Sequence, residues 1–247
     1  MAIVDSTRWS RFVGLGRRRA EGRSWPRDPA IGAVAAGEPG GHPDDDAART
    51  PLFEVSFAVV DVETTGGSPA TAALTEIGAA TYRGGECTGT FATLVDPRCP
   101  VPPLITLLTG ITDAMVCGAP PVDSVLPSFL EFVRGSVIVG HNVGFDLGFL
   151  NEALRRCGRD PLGNDVVDTL ALARRLLKPD VPNCRLRTLA ASLGLEHRPS
   201  HRALDDVLAT ADLLHRLIEA ATGYGVFVLA DLIGLVTAPS LRSARVS

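Results

Sequence analysis

The chain has 247 residues, of which 45% are hydrophobic and 21% are charged, and its formal net charge is −4 at pH 7. This composition is typical of a globular protein with a hydrophobic core, and the length is sufficient for one sizeable domain with terminal extensions. Proteins that hold nucleic acid through overall charge are usually basic. Any contact of this acidic chain with a polyanion would therefore have to be local or depend on bound metal ions.

The cysteine pattern and the hydropathy of the termini predict the cellular compartment of the protein. The five cysteines form no Cys-x-x-Cys pair, which disfavours a disulfide framework or a zinc knuckle and predicts a reducing, cytoplasmic environment. The arginine-rich N-terminus lacks the apolar segment of a secretory signal. The apolar stretch 226–236 is interrupted by Asp231 and is too short to span a bilayer, so we predict no membrane association.

The composition divides the chain into three parts. Residues 1–50 combine arginines with two tryptophans and an Ala/Gly/Pro-rich stretch, which predicts a disordered extension; binding to single-stranded nucleic acid is the alternative. Residues 51–222 carry the regular patterns of a folded domain. Residues 223–247 form a C-terminal tail, whose apolar segment 226–233 could pack on the domain, meet a partner protein or support a homodimer.

Apolar alternation and turn residues predict the secondary structure of the domain. Strands are expected at residues 56–60, 74–83, 87–95, 136–139 and 166–167. Helices are expected at residues 104–108, 122–133, 145–157, 169–177, 185–193 and from 201 or 202 to 221. Asp123 or Ser124 is expected to cap the second helix and Asp168 the fourth, and Gly84-Gly85 to form a hairpin turn. Three consecutive strands, followed by alternating strands and helices, predict an α/β domain with a mixed sheet.

The end of the first strand carries two carboxylates. Asp61 and Glu63 follow the apolar run 57–60 and lie two positions apart, so both side chains project from the same side of a strand. Neighbouring carboxylates repel one another unless a cation neutralises them, and Mg²⁺ and Mn²⁺ prefer oxygen ligands. Both residues are therefore candidate metal ligands, although polar residues at a strand end explain the isolated pair equally well.

Two further segments place acidic residues at the starts of helices. Asp146 is expected in the first turn of a helix that follows a buried strand. His201 is expected at the start of the last long helix, and Asp206 follows five residues later, on a face shared with Ala203 and Ala209. Each carboxylate taken alone is also explained by the helix dipole, and the histidine by a role in capping.

The three segments together resemble the motifs of the DEDD-type 3′–5′ exonucleases, in the histidine-bearing (DEDDh) subclass that includes the proofreading epsilon subunit of the bacterial replicative polymerase. The matching segments are Asp61-Val62-Glu63-Thr64-Thr65-Gly66, His141-Asn142-Val143-Gly144-Phe145-Asp146, and His201 with Asp206. The resemblance covers residues 54–221 and includes segment 108–112. It implies a ribonuclease H-like fold, with a five-stranded mixed sheet flanked by helices.

The resemblance also implies a role for each matching residue. Two divalent cations, either Mg²⁺ or Mn²⁺, would be bound by Asp61, Glu63, Asp146 and Asp206. His201 would be the general base, whereas Asp205 falls outside the register of the motif and is expected only to complement the helix dipole. The residues expected to contact substrate are Thr64, Thr65, Gly66, Thr109, Asn142 and Phe145, although core packing is the favoured role of Phe145.

The predicted function is a metal-dependent 3′–5′ exonuclease that releases nucleoside monophosphates. Single-stranded DNA is the first-choice substrate and short RNA the second, since no residue is identified that reads the 2′-hydroxyl. Arginines such as Arg155, Arg156 and Arg202 could bind the phosphate backbone or lie on solvated faces. The alternative is an accessory proofreading or binding subunit that is active only with a polymerase or repair partner.

Overall fold

The computed structural model describes residues 49–237, in which a five-stranded sheet forms the centre of the domain. Its strands are β1 Ser56–Thr64, β2 Leu74–Arg83, β3 Glu86–Leu94, β4 Val137–Gly140 and β5 Val166–Asp168. Their order is β3-β2-β1-β4-β5; β2 is antiparallel to β1 and β3, whereas β4 is parallel to β1 and β5. The predicted mixed sheet is confirmed. The predicted extension up to residue 48, and residues 238–247 of the predicted tail, lie outside the described residues.

Helices cover both faces of this sheet. Within residues 49–237 they are α1 Pro103–Thr109, α2 Asp113–Val116, α3 Val122–Phe132, α4 Gly144–Arg156, α5 Thr169–Leu176, α6 Leu186–Leu193, α7 Ala203–Thr222 and α8 Leu229–Thr237. The sequence predicts neither α2, which is a single turn, nor α8, which lies in the segment expected to be a tail. The remaining helices agree with the predicted ones to within two residues at each end.

One predicted turn and one predicted helix cap follow local sequence chemistry. Gly84 and Gly85 have φ values of 57° and 79°, as a two-residue hairpin turn requires, and the Asp168 side chain caps α5 by accepting a backbone N–H. The expected cap of α3 by Asp123 or Ser124 is wrong. The residue before that helix is Pro121, two or three positions earlier, and it provides no side-chain cap, because proline already fixes a backbone angle suited to a helix start.

β1 extends further than its apolar run predicts, and this extension creates the open end of the sheet. Residues 61–64 remain paired with β2, where Glu76 lies opposite Glu63. β4, in contrast, pairs with β1 only from Phe57 to Val59. The two strands therefore separate beyond Val59, and the backbone of β1 is accessible from that side next to the carboxylates.

Alternate residues of β1 enter two hydrophobic cores on opposite faces of the sheet. Val59 packs in the core that includes α5, α6, α7 and α8. Val60 and Val62 pack in the core that includes α3 and α4. By the same alternation, Asp61 and Glu63 project toward the α7 side.

The N-terminal and C-terminal ends of the described chain pair with each other. The Leu229 N–H donates to the Thr50 carbonyl at 3.0 Å, and the Leu52 N–H donates to the Phe227 carbonyl at 2.9 Å. Helix α8 contacts α5 and β5, and its Leu232 is fully buried, so this part of the predicted tail packs on the domain. Within residues 49–237, no helix is both long enough and apolar enough to cross a lipid bilayer.

Candidate active site

A cleft of about 320 Å³ opens where β1 and β4 separate. Its lining comes from β1 and the turn after it, from α1, from the loop between β4 and α4 and the first turn of α4, and from the segment that leads into α7 together with its first turn. The lining residues are Asp61, Val62, Glu63, Thr64, Gly66, Gly67, Ile105, Leu108, Thr109, His141, Asn142, Phe145, Asp146, His201 and Asp206. The structure thus brings together all five residues predicted to bind metal or act as base. Of the residues predicted to contact substrate, Thr65 is the one that does not line the cleft.

Asp61 and Glu63 are embedded among other carboxylates. Burial raises the pKa of Asp61 well above its ordinary value, and the charges of Asp146, Asp206 and Glu63 raise it further. Burial, and then the charges of Asp206 and Glu76, raise the pKa of Glu63 to about 8. Each carboxylate therefore makes ionisation of the others more costly, and a bound cation would reverse that effect.

Asp146 joins α4 to the open edge of β1. It is 4% exposed and lies in the first turn of α4, and its Oδ1 accepts the Val62 N–H at 3.0 Å. This N–H is available because β4 no longer pairs with β1 at this level. Burial raises the pKa of Asp146 to about 7, and the hydrogen bond from Val62 opposes part of that rise.

Asp206 and His201 belong to one hydrogen-bonded segment at the start of α7. Asp206 Oδ1 accepts the N–H of Ser200 at 2.8 Å and that of His201 at 3.2 Å, while burial raises its pKa. His201 has a φ of 62°, a conformation that residues with a Cβ rarely adopt. Possible ligand atoms of Glu63, His201 and Asp206 lie within 4.8 Å of one another. Asp205 is exposed and accepts the Ser200 hydroxyl at 2.6 Å, outside the cleft.

The three threonines predicted to contact substrate also hold the loops around the cleft. The Thr64 hydroxyl donates to the Gly66 carbonyl at 2.7 Å. The Thr65 hydroxyl accepts the Ala73 N–H at 2.9 Å, which closes the loop between β1 and β2. The Thr109 hydroxyl donates to one backbone carbonyl at 3.0 Å and accepts one N–H at 3.1 Å. Thr65 therefore supports the cleft from behind, whereas Thr64 and Thr109 lie at its surface.

One part of the cleft wall is apolar. Phe145 is 38% exposed, and its ring centroid lies 5.0 Å from that of the buried Phe149. The expectation that Phe145 packs in the core is therefore wrong, because it lies on the side of α4 that borders the cleft. Ile105 and Leu108 of α1 complete this wall. The sequence indicates the part of this wall that α1 provides, since a seven-residue helix with this many apolar residues must leave some of them exposed.

The loop between β4 and α4 is fixed by His141 and Asn142. The His141 Nε2 lies 2.8 Å from the Cys184 carbonyl, and its Nδ1 lies 2.9 Å from the Thr169 hydroxyl. Burial lowers the pKa of His141, which favours the neutral ring. Because a carbonyl oxygen can only accept, the proton of that ring is assigned to Nε2. Asn142 has a φ of 71°, and its N–H donates to Asp168 at 2.9 Å. Both residues line the cleft in a constrained loop.

Sequence reasoning missed the partner of Arg202. Glu76 is 5% exposed, and its carboxylate accepts two hydrogen bonds from Arg202, at 3.0 and 2.7 Å. An acid inside the apolar strand β2 was the available signal, since a buried charge requires a partner. Arg155 and Arg156 are likewise paired, with Glu152. Each of these three arginines is thus paired with a carboxylate of the protein.

Comparison with known protein families identifies the family to which this chain belongs. The model of the family described as Exonuclease (RNase_T) matches residues 58–214, well over half of the chain. The chain belongs to this exonuclease family. The matched range contains all five acidic and histidine residues of the cleft, and the predicted identity as a DEDD-type exonuclease is confirmed.

Two relatives extend beyond the length of this chain. A Mycobacterium tuberculosis protein, whose name describes a bifunctional exonuclease/endonuclease, is 50% identical over 188 residues, which are 73% of this chain and 29% of that protein. The PolC-type DNA polymerase III of Clostridium perfringens is 45% identical over 162 residues, 66% of this chain and 11% of the polymerase. The chain thus spans less than a third of either relative.

Solved structures confirm the ribonuclease H-like fold. Exonuclease X, solved in complex with 5′ overhanging duplex DNA, is 27% identical with a TM-score of 0.56; the match covers 74% of this chain and 99% of that one. Exonuclease I of E. coli, solved with a dA16 oligonucleotide, is 24% identical with a TM-score of 0.59; the match covers 67% and 42% of the two chains.

Proposed function

We propose that this exonuclease hydrolyses phosphodiester bonds at nucleic-acid 3′ ends with two divalent cations. The observation that carries the proposal is the convergence of four carboxylates and one histidine, from three distant segments, on one cleft. Burial, and then the charges of neighbouring carboxylates, raise the pKa values of Asp61, Glu63 and Asp146. Such a cluster is costly for folding alone, which supports a functional reason for it.

The donor set of the cleft fits hard divalent cations. Asp61, Glu63, Asp146 and Asp206 offer carboxylate oxygens, which Mg²⁺ and Mn²⁺ prefer, and four carboxylates offset the charge of two such ions. When bound, the cations would activate the attacking water and stabilise the attacking and leaving oxygens of the displacement. An acidic protein can therefore act on a polyanion without a basic surface.

His201 is the proposed general base. A histidine can accept a proton at neutral pH, and His201 lies within 4.8 Å of possible ligand atoms of Glu63 and Asp206. A proton taken from the attacking water at this position would leave the hydroxide beside the scissile phosphate. The left-handed backbone of His201 supports a positioned role, since such conformations persist where the surroundings hold them.

The cleft suits the end of a single strand. Its volume of about 320 Å³ is near the lower limit for ligand sites, roughly 300 Å³, which favours one terminal nucleotide over a duplex segment. Phe145, Ile105 and Leu108 provide an apolar wall for a base, and stacking on an aromatic ring is tolerant of sequence. DNA is the proposed polymer because Exonuclease X and Exonuclease I were each solved with DNA; RNA is the second choice.

A gel assay on 5′-labelled DNA and RNA oligonucleotides, with Mg²⁺, with Mn²⁺ and with chelator, tests the proposal. We expect a metal-dependent ladder that shortens from the 3′ end and favours single-stranded DNA. Asp61→Asn and Asp206→Asn should each lower the rate more than about a hundredfold, whereas the matched variant Asp205→Asn should stay within about threefold of wild type. Shortening from the 5′ end, or no degradation with either metal, would refute the proposal.

A second role, removal of mismatched 3′ ends beside a polymerase, is supported by the similarity to PolC-type DNA polymerase III. In that case a polymerase or repair partner would raise the rate on mismatched primer ends above that of the isolated chain. Assays with and without the replicative polymerase of the same organism measure this difference, and light scattering shows whether the chain itself forms a homodimer. Equal rates with and without polymerase would contradict dependence on such a partner.

A further inference from the structure

The start of α7 is held against β2 by two residues that lie on one face of that strand. A Cβ at position 78 would lie 2.7 Å from the Ala203 carbonyl carbon, so glycine at Gly78 permits the close approach of the helix. Two positions earlier, the Glu76 carboxylate accepts the Ala203 N–H at 3.0 Å. The first residue of α7 is thus packed on one residue of β2 and hydrogen-bonded to another.

Glu76 also fixes the residue that precedes the helix. Its two oxygens accept the Arg202 Nε and Nη2 at 3.0 and 2.7 Å, a bidentate pair that defines orientation as well as distance. Three hydrogen bonds therefore reach one buried carboxylate from two consecutive residues, 202 and 203. A buried ion pair contributes little net stability compared with apolar packing, so this arrangement is better explained by the position it enforces.

The two residues that depend on this position line the cleft. His201 directly precedes Arg202, and Asp206 lies in the first turn of α7. Glu76 is the cross-strand partner of Glu63, and such partners have Cβ atoms about 5 Å apart. A single anchor on β2 thus sets where His201 and Asp206 stand relative to Glu63.

We propose that Glu76 is a positioning residue: through Arg202 and the Ala203 N–H it holds the start of α7 so that His201 and Asp206 face Glu63. This inference rests on the proposed function for its catalytic consequence. The backbone of His201, with a φ of 62°, is held between the Asp206 hydrogen bonds and this anchor. Release of the anchor lets His201 relax to a commoner conformation and separates it from the other ligand atoms.

The test compares Glu76→Gln, Arg202→Gln and Arg202→Lys with Leu217→Ala, which removes a buried side chain from the same helix about three turns beyond Asp206. Binding of Mn²⁺ alone is measured by calorimetry on the full chain, hydrogen exchange is measured at the residue 200–203 amides, and kcat and KM are measured on a single-stranded oligonucleotide. All variants are compared at a temperature at which circular dichroism shows them folded.

Glu76→Gln should weaken Mn²⁺ binding about 10- to 100-fold, as loss of an outer partner of a metal ligand typically does. It should lower kcat by a similar factor with KM within about threefold, and speed exchange at residues 200–203. Arg202→Lys keeps the charge but loses the bidentate geometry, so its Mn²⁺ affinity, kcat and amide exchange should change in the same direction as those of Glu76→Gln. Leu217→Ala should lose stability and keep its Mn²⁺ affinity.

Three results would overturn the proposal. If Glu76→Gln leaves Mn²⁺ affinity and amide exchange unchanged, the ion pair of Glu76 with Arg202 has only a structural role. An Arg202→Gln variant with a raised KM and altered salt dependence, at unchanged kcat, would make Arg202 a phosphate contact. An Arg202→Lys variant that matches wild type would show that the bidentate geometry is not needed. An inactive wild-type chain would refute the proposed function instead, and Mn²⁺ affinity and amide exchange would still decide on Glu76.

Discussion

The stability of the metal-free protein should fall as the pH rises, because the carboxylates of the cleft are easier to bury when protonated. The pKa of Glu63 is raised from 4.5 to about 8 and that of Asp146 from 3.8 to about 7. A raised pKa in the folded state means that the folded protein holds its proton more tightly than the unfolded chain. The stability from this difference is fully present below about pH 4.5 and is lost as the pH rises through about 8.

The size of the effect follows from the Glu63 pKa. One pKa unit corresponds to about 1.36 kcal/mol. The rise from 4.5 to about 8 therefore corresponds to roughly 2–4 kcal/mol once partial access of solvent to Glu63 is allowed for. For a domain of this size, 1 kcal/mol changes the Tm by about 2–4 °C. We expect the Tm in chelator to fall by roughly 5–15 °C between about pH 5 and pH 8.5.

Thermal unfolding followed by circular dichroism in chelator, across this pH range, measures the effect. Glu63→Gln should make the dependence shallower because one of the titrating carboxyls is gone, whereas the matched variant Asp205→Asn should keep the wild-type slope. Added Mg²⁺ should stabilise the protein most at high pH, since metal binding requires deprotonated carboxylates. The reasoning is refuted if the Tm in chelator is constant or rises with pH, or if Glu63→Gln retains the full slope.

Three further substitutions test the cleft and the contacts that support it. Phe145→Ala should raise KM for single-stranded DNA about 5- to 50-fold with a smaller change in kcat, since stacking of a base on an aromatic ring contributes about 1–3 kcal/mol. Steady-state kinetics measure both constants. An unchanged KM would show that Phe145 does not contact the substrate. Gly78→Ala should lower the free energy of unfolding by about 1–3 kcal/mol, because its Cβ meets the Ala203 backbone. Thr65→Val should cost about 1–2 kcal/mol, because the Ala73 N–H loses its acceptor. Urea denaturation measures both, and wild-type midpoints would contradict them.

The elements that carry the cleft could be predicted from the sequence because their signals are local. The apolar run before Asp61, and the position of Asp168 before a helix, each depend on residues a few positions apart. The mixed sheet followed from the order of strands and helices. The same reasoning placed Asp146 in the first turn of its helix, where the structure has it.

The features that could not be predicted depend on register and on contacts between distant segments. The pairing of Arg202 with Glu76 spans 126 residues, and it requires both the register of β2 on β1 and the close approach of α7. The exposure of Phe145 depends on the rotation of α4 about its axis, which hydrophobic spacing alone did not decide. Helix α8 was missed because its apolar residues are compatible with packing on the domain, on a partner or on a second copy.

Two acids of the cleft, Asp146 and Asp206, accept backbone N–H groups, so the orientation of each side chain can be tested separately from its charge. Asp146 accepts the Val62 N–H, and the oxygen of an asparagine side chain can accept the same hydrogen bond. Asp146→Asn should therefore keep the geometry and remove a buried charge, so that the metal-free variant should have a higher Tm than wild type above about pH 7. The same variant should lose most of its affinity for Mn²⁺, because one of the proposed carboxylate ligands is gone. Thermal unfolding in chelator and calorimetry with Mn²⁺ measure the two effects. If Asp146→Asn is less stable than wild type at high pH, the carboxylate contributes to folding, and its burial is not a cost that metal binding offsets.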